Sequence, residues 1–332
     1  MKIKSVGRLI TFALIIVLFG RLLNGCTTAP TMSPSNTSNT ITTILQSATD
    51  ATVYFAAITR VHLDTVFGGN GPFTVYVPTD NGFAASGLTS SVIAGMSDSA
   101  LRSLLLYQTV AAGLLSQNYP AGPNGKLVTA NGDSIFVTTN SSGVFINGVP
   151  ALNVDILASN GVINAMPAVL FPPKGNLLQL LQYDTSFNYL VAAFARASQG
   201  SINLDTLLSN WAPYTLFAPT NNAFRAAGFM TIDDIDSANV DTLSNILLYH
   251  IVPTRVFTSD IITGQTRTTL NDSTISFTAL SGSIEIQGNK NTIPANSLTE
   301  NGMAHNGPPL LRPMARSPVI TRIPVRWFTM GT

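Results

Sequence analysis

Cysteine occurs once in 332 residues and histidine three times, which excludes an intrachain disulfide framework and a thiolate metal cluster and leaves little material for a zinc or iron site. Charge is scarce too. Only 10% of residues are Asp, Glu, Lys or Arg, against about a quarter in an ordinary globular chain. Seventeen bases against sixteen acids leave a formal net charge of +1, which offers no electrostatic footprint for a phosphate backbone, so no nucleic-acid partner is expected. No cofactor is expected either. What the chain does not lack is apolar material. With 45% hydrophobic and 8% aromatic residues it can bury a sizeable core, and its length fits two domains better than one.

Lys2, Lys4 and Arg8 precede an apolar run from Leu9 to Phe19, which is too short to span a hydrocarbon core of about 30 Å as a permanent helix. Residues 1–25 therefore read as a signal peptide. Leu23-Asn24-Gly25-Cys26 resembles the lipobox of bacterial lipoproteins, with Gly25 at the small position; Asn24 and Arg21 depart from the usual pattern. Lipidation of Cys26 would account for the single cysteine, because several acyl chains together give stable membrane attachment. The other reading is a signal peptide cut elsewhere that leaves a free thiol. Cleavage before Cys26 removes four bases and no acid, leaving 13 bases against 16 acids. From Thr27 to Asn39, eleven of thirteen residues are Thr, Ser, Pro or Asn, so residues 26–39 read as a lipidated N-terminus and flexible tether.

The chain repeats itself. Pro72-Phe-Thr-Val-Tyr-Val-Pro-Thr-Asp-Asn-Gly-Phe83 recurs as Pro213-Tyr-Thr-Leu-Phe-Ala-Pro-Thr-Asn-Asn-Ala-Phe224, with six identities in twelve at an offset of 141. Ser103-Leu-Leu-Leu-Tyr-Gln-Thr-Val110 recurs as Asn245-Ile-Leu-Leu-Tyr-His-Ile-Val252 at an offset of 142, and Asn160-Gly161 as Asn301-Gly302 at 141. Solenoid units run to about 20 to 50 residues, so a period this long marks a duplicated domain.

Each copy can be read locally. Phe73 to Val77 has the aromatic and β-branched pattern of a strand, and Pro78 ends it because proline cannot donate to the ladder. Thr79, Asp80 and Asn81 then offer side-chain oxygens to the free N–H groups of a starting helix. Leu101, Leu104, Leu105 and Tyr107 fall at helical spacing, as do Leu243, Ile246, Leu247 and His250. Beyond the first of these helices, the pairs Asn131-Gly132, Asn147-Gly148 and Asn160-Gly161 are hairpin signals between short apolar segments. Helices first and a meander of strands afterwards give an α+β fold with mostly antiparallel sheet in each copy.

The ordered set of strand-Pro-Thr-Asn-x-x-Phe, then Leu-Leu-Tyr-His-x-Val, then an Asn-Gly-Val-Ile strand resembles the fasciclin domain, and both copies resemble it, over roughly residues 41–313. The resemblance implies two β-sheet wedges packed with several short helices, with domain 1 at 40–173 and domain 2 at 174–313. It implies a non-catalytic binding role, since such domains occur in extracellular adhesion and matrix proteins and bacterial versions are commonly secreted or lipid-anchored. The expected function is therefore a cell-envelope adhesion module, periplasmic or surface-exposed, contacting a protein, matrix or polysaccharide partner. The alternative is a carrier of a small apolar ligand held between the domains.

By the family's Tyr-His element, the candidate binding residues are Tyr249 and His250, with Tyr107 and Gln108 as their counterparts. A structural reading stands beside this one: the tyrosine packs in the core and the histidine hydrogen-bonds internally. Gln108 can still donate and accept, which suits the structural reading. Asp233, Asp234 and Asp236 cluster without the glycine and terminal glutamate of a calcium loop, and Thr231 with Asp233 fits a helix N-terminus. His62 reads as a surface loop residue. No serine sits in a nucleophile-elbow glycine pattern, so hydrolase chemistry has no support.

The end of the chain departs from the repeat. The counterpart of Gly161 to Pro172 is Gly302 to Pro313, where Asn306, Gly307, Pro308 and Pro309 replace apolar alternation, so a degraded closing strand is expected. After Glu300 there is no acid, and Arg312, Arg316, Arg322 and Arg326 appear among five prolines. Residues 314–332 thus read as a poorly ordered basic tail, either genuine or the product of a shifted reading frame.

The anchor gives a direct test. Cys26→Ser is expected to move the protein from the membrane to the soluble fraction with its circular dichroism unchanged; a mutant that stays with the membrane refutes lipidation at this cysteine.

Overall fold

The computed structural model describes residues 38–173, 175–209, 213–280, 283–286, 289–291, 297–299 and 302–306. The signal peptide, Cys26, most of the tether and the basic tail lie outside these residues.

The first copy runs α1 (Ile41–Ser47), α2 (Thr52–Arg60), α3 (Leu63–Gly68), β1 (Phe73–Pro78), α4 (Asp80–Ala85), α5 (Ser90–Gly95), α6 (Asp98–Tyr107), β2 (Thr109–Val110), β3 (Gly125–Val128), β4 (Ser134–Asn140), β5 (Gly143–Ile146), β6 (Val149–Pro150), β7 (Asn153–Ala158) and β8 (Gly161–Met166). The second runs α7 (Leu177–Tyr183), α8 (Asn188–Ala197), α9 (Leu204–Ser209), β9 (Tyr214–Ala218), α10 (Asn221–Ala226), α11 (Ile232–Asp236), α12 (Val240–Leu248), β10 (Ile251–Val252), β11 (Thr266–Thr268), β12 (Thr274–Leu280), β13 (Ser283–Ile286), β14 (Asn289–Asn291), β15 (Ser297–Thr299) and β16 (Gly302–Asn306).

Each copy holds two four-stranded sheets. One has the order β2-β1-β8-β7, repeated as β10-β9-β16-β15; the other is the meander β3-β4-β5-β6, repeated as β11-β12-β13-β14. The meanders are antiparallel throughout. Asn131-Gly132 and Asn147-Gly148 fall in hairpin turns, while Asn160 ends a third turn and Gly161 opens β8; Asn147 and Gly148 both take positive φ, 49° and 78°, as a two-residue hairpin loop of that hand requires. The central pair is the departure from antiparallel pairing: β1 runs parallel to β8, and β9 to β16.

Strand β1 is covered on both faces, so its alternate residues feed two cores. Val75 and Val77 join Tyr54, Ile58, Phe67, Phe83, Leu101 and Leu105 on the helical side. Tyr76, on the opposite face, joins Tyr107, Val110, Ile135, Val137, Ile146 and Met166 between the two sheets. The second copy divides β9 the same way, with Leu216 and Ala218 towards the helices and Phe217 towards Tyr249, Ile275 and Phe277. Burying such side chains contributes roughly 1.5–3 kcal/mol each, which makes this strand the element both layers depend on.

The helix starts follow the local rules. Thr79 accepts from the Gly82 N–H at 3.1 Å and Ser97 from the Ala100 N–H at 3.2 Å. At α11, Thr231 pairs with Asp234 in a reciprocal capping box and not with Asp233, because only the residue three positions into the helix can reach back to the cap N–H, here at 2.8 Å.

The closing strand of the second copy does form a ladder. Strand β16 pairs in parallel with β9 from Gly302↔Tyr214 to Asn306↔Ala218, the same kind of ladder that β8 makes with β1. Pro308 and Pro309 come after the last laddered residue, so their missing N–H groups take nothing from it. Glycine at the head of each closing strand also has a steric reason in the first copy: a Cβ at Gly161 would collide with the carbonyl oxygen of Phe73.

Asn160, immediately before β8, is the clamp of the first copy. Its amide donates to the carbonyls of Phe67 and Gly69, both at 2.7 Å, and its Oδ1 accepts from the Ile41 N–H at 2.9 Å. It thereby ties the end of α3 and the start of α1 to the sheet. Asn160→Ala is expected to lower stability by about 2 kcal/mol, since it leaves three backbone groups without their partner. Urea titration of the Cys26→Ser chain checks this, and an unchanged midpoint would show that water replaces the clamp.

Candidate functional site

The Tyr-His element lies where a helix gives way to a short strand. Helix α6 ends at Tyr107, Gln108 caps it, and β2 follows at once; in the second copy α12 ends at Leu248, Tyr249 caps it, and His250 leads into β10. The carbonyl of Gln108 accepts from the Tyr76 N–H at 2.8 Å, and that of His250 from the Phe217 N–H at 2.9 Å. Both elements are thus stitched to the central strand by their backbone.

Their side chains point inward. Tyr107 is 0% exposed, Gln108 1%, Tyr249 1% and His250 0%. The Tyr107 hydroxyl donates to the Ser134 carbonyl at 3.1 Å and accepts from Asn147 Nδ2 at 3.0 Å, and the Tyr249 hydroxyl donates to the Thr274 carbonyl at 3.0 Å. Each tyrosine therefore joins the helix end to the first hairpin of the second sheet. Gln108 bonds both ways to one residue: its Nε2 donates to the Leu170 carbonyl and its Oε1 accepts from the Leu170 N–H, while Nε2 also reaches the Leu104 carbonyl at 3.1 Å. His250 makes the matching contact one turn back, Nδ1 with the Ile246 carbonyl at 2.9 Å.

Burial fixes the protonation of all four. Desolvation pushes the Tyr107 and Tyr249 phenols upward, so both are un-ionised at neutral pH. It pushes His250 down to about 4, with the bond to Ile246 acting weakly the other way, so the imidazole is neutral. Neutral, bonded and out of reach of solvent, these groups hold layers together and present no nucleophile. Among the described residues no group of three or more His, Cys, Asp or Glu could hold a metal ion. Among the same residues no helix is long and apolar enough to cross a membrane. His62 lies exposed with φ 57° at the start of α3, and Cys26 is outside the described residues.

Sequence reasoning missed the contact between the copies. The Arg255 guanidinium stacks on the Phe136 ring, 4.1 Å from its centroid, and Phe257 approaches the same ring at 6.0 Å. Thr138 Oγ1 donates to Asp260 Oδ1 at 3.0 Å, and Asn124 Nδ2 to the Arg255 carbonyl at 2.8 Å. Asp260 is 8% exposed and also accepts from the Phe257 N–H at 2.8 Å. The available signal was a difference between the copies. Thr74 and Thr215 bracket matching loops, through the carbonyls of Ala112 and Thr254 and the N–H groups of Leu114 and Val256, which sets Gly113 opposite Arg255.

A second, partly buried network lies in the first copy. Asp155 accepts from the Ser116 N–H at 2.7 Å and from its hydroxyl at 2.5 Å, and Asn164 links the Asp155 N–H to the Tyr119 hydroxyl, which meets Tyr76 at 3.2 Å. With φ 61°, Asp155 occupies the irregularity in the β7–β8 ladder.

The family model described as the fasciclin domain matches residues 49–172 and again 190–306. The chain is 25% identical over 239 residues to transforming growth factor-beta-induced protein ig-h3 of Sus scrofa, covering 71% of this chain and 34% of that protein. It is 30% identical over 216 residues to periostin of Homo sapiens, covering 63% of this chain and 23% of that protein. The chain thus spans only about a third or a quarter of these relatives' length. It is also similar to a solved FAS1 domain pair from the insect cell adhesion molecule fasciclin I, at 17% identity and a TM-score of 0.39, covering 79% of this chain and 96% of that one.

The depressed His250 makes the second copy acid-sensitive. Its folded form resists a proton that the unfolded chain accepts near pH 6.5, so stability is full above that pH and falls as the pH drops towards about 4, by up to roughly 3 kcal/mol. Melting curves between pH 7 and 4 should show this loss. His250→Gln, which installs the residue the first copy uses, should remove the part due to this site; an identical pH profile in wild type and mutant would exclude His250 as the cause.

Proposed function

Because this chain belongs to the fasciclin domain family, we propose that it is a non-catalytic adhesion or binding module of the bacterial cell envelope, held at the membrane through a lipidated Cys26 and contacting a protein, matrix or polysaccharide partner. The observation that supports this reading is the burial of the Tyr-His element in both copies. The groups that could have done chemistry are un-ionised and bonded inside the fold, so the exposed surface is left to act by complementarity. On this reading Tyr249, His250, Tyr107 and Gln108 act as structural residues that set the angle between the two sheets of each copy, and they do not themselves touch a partner. The contact made by Arg255, Phe136, Thr138 and Asp260 supports presentation of the two copies as one binding unit.

Beads bearing the purified Cys26→Ser chain test the proposal. They are expected to retain envelope fragments of the source cells saturably, with half-saturation on the order of 1 μM, and to leave those fragments chemically unchanged. Asp260→Ala, which loosens the contact between copies, should weaken retention severalfold while each copy stays folded. No saturable retention, or a chemical change in the fragments, would refute the reading.

A further inference from the structure

Helices α2 and α5 of the first copy enclose a groove of about 690 Å³ lined by Thr52, Val53, Ala56, Ala57, Arg60, Ser90, Ile93 and Ala94. The second copy shows what belongs there. Val53 N–H bonds to Asp80 Oδ1 and Tyr189 N–H to Asn221 Oδ1, while Arg60 and Arg196 both reach the carbonyl at the end of the following short helix, Met96 and Ala238. These matched contacts place Tyr189 opposite Val53. The Tyr189 ring crosses from α8 towards α11, packs edge-on against Phe224 with centroids 6.3 Å apart, and donates its hydroxyl to the Met230 carbonyl at 2.8 Å. Helix α11 packs closely on α8, whereas α5 meets α2 through Arg60, whose guanidinium donates to the Ile93 carbonyl at 2.7 Å. The capping threonines, Thr89 and Thr231, likewise set Ser90 opposite Ile232, so the first copy carries the smaller side chain at both positions.

We propose that the groove between α2 and α5 is a binding site for an aromatic side chain of a partner polypeptide, filled in trans as Tyr189 fills its counterpart in cis. A polypeptide fits better than a free metabolite because Thr52, Ala56, Ser90 and Ala94 are exposed and the groove lies open along both helices, whereas small-molecule sites enclose most of their ligand. The inference goes beyond the envelope-binding reading and depends on the groove alone.

Methyl-resolved NMR of the full Cys26→Ser chain, titrated with N-acetyl-tyrosinamide, tests it. The expected result is saturable shifts confined to Val53, Ala56, Ile93 and Ala94, with a dissociation constant on the order of 1–10 mM, as one ring can supply, and no saturable response to N-acetyl-leucinamide. Val53→Tyr supplies the ring in cis and should weaken the response at least tenfold while keeping the melting temperature. Ala56→Leu, at an exposed wall position, should do the same should Val53→Tyr fail to fold. No saturable shift, or an undiminished shift in the folded variants, overturns the proposal. Binding of p-cresol without binding of N-acetyl-tyrosinamide also overturns it, because the site would then take free phenols.

Discussion

The fold of each copy depends on a phenol at the end of a helix. Tyr107 and Tyr249 sit where the chain leaves its helical layer, and each hydroxyl reaches a carbonyl at the start of a strand in the meander sheet. A buried polar group of this kind costs free energy unless it is bonded, so the bond fixes where the second sheet can lie. The following residue completes the arrangement. Glutamine in one copy and histidine in the other bond one turn back, and the glutamine also grips the segment after the closing strand.

Much of this was legible in the sequence because the signals are local. Phe73 to Pro78 declared a strand and its end, Thr79 declared a helix start, and the Asn-Gly pairs declared hairpins, each within a window of a few residues. The parallel pairing of β1 with β8 was not legible, because the partners lie 88 positions apart, as in Phe73↔Gly161, and no local pattern encodes which strand runs beside which. The ladder of the second copy's closing strand was not legible for a related reason. Its composition changes abruptly, but the ladder needs only Gly302 to Asn306, and the prolines that looked disruptive fall beyond it. Of the site residues, Tyr107 and His250 fell at helical spacing and Tyr249 came from the Tyr-His element, while Arg255 carried no signal until the loop it occupies was laid over the one containing Gly113.

The duplicated copies have kept their frame and exchanged details within it. His250 for Gln108 makes one copy titrate where the other does not. Tyr189 for Val53 fills one groove and leaves the other open. Both exchanges lie where bonding or packing is set by a single side chain, so the duplicate could change its surface or its acid response without disturbing the ladders.

The contact between copies is head-to-tail: a loop of the second copy lies against the meander sheet of the first. Such heterologous contacts, when every unit carries both faces, have no natural end and build filaments. Here each unit carries only one. The loop of the first copy has Gly113 where the second has Arg255. The matched bonds of Tyr107 to Ser134 and of Tyr249 to Thr274 put Ser276 of the second copy where the first has Phe136. Neither the cation nor its ring is available for another round. The interaction is thereby limited to a valency of one, and copies of this chain cannot use this contact to polymerise with one another.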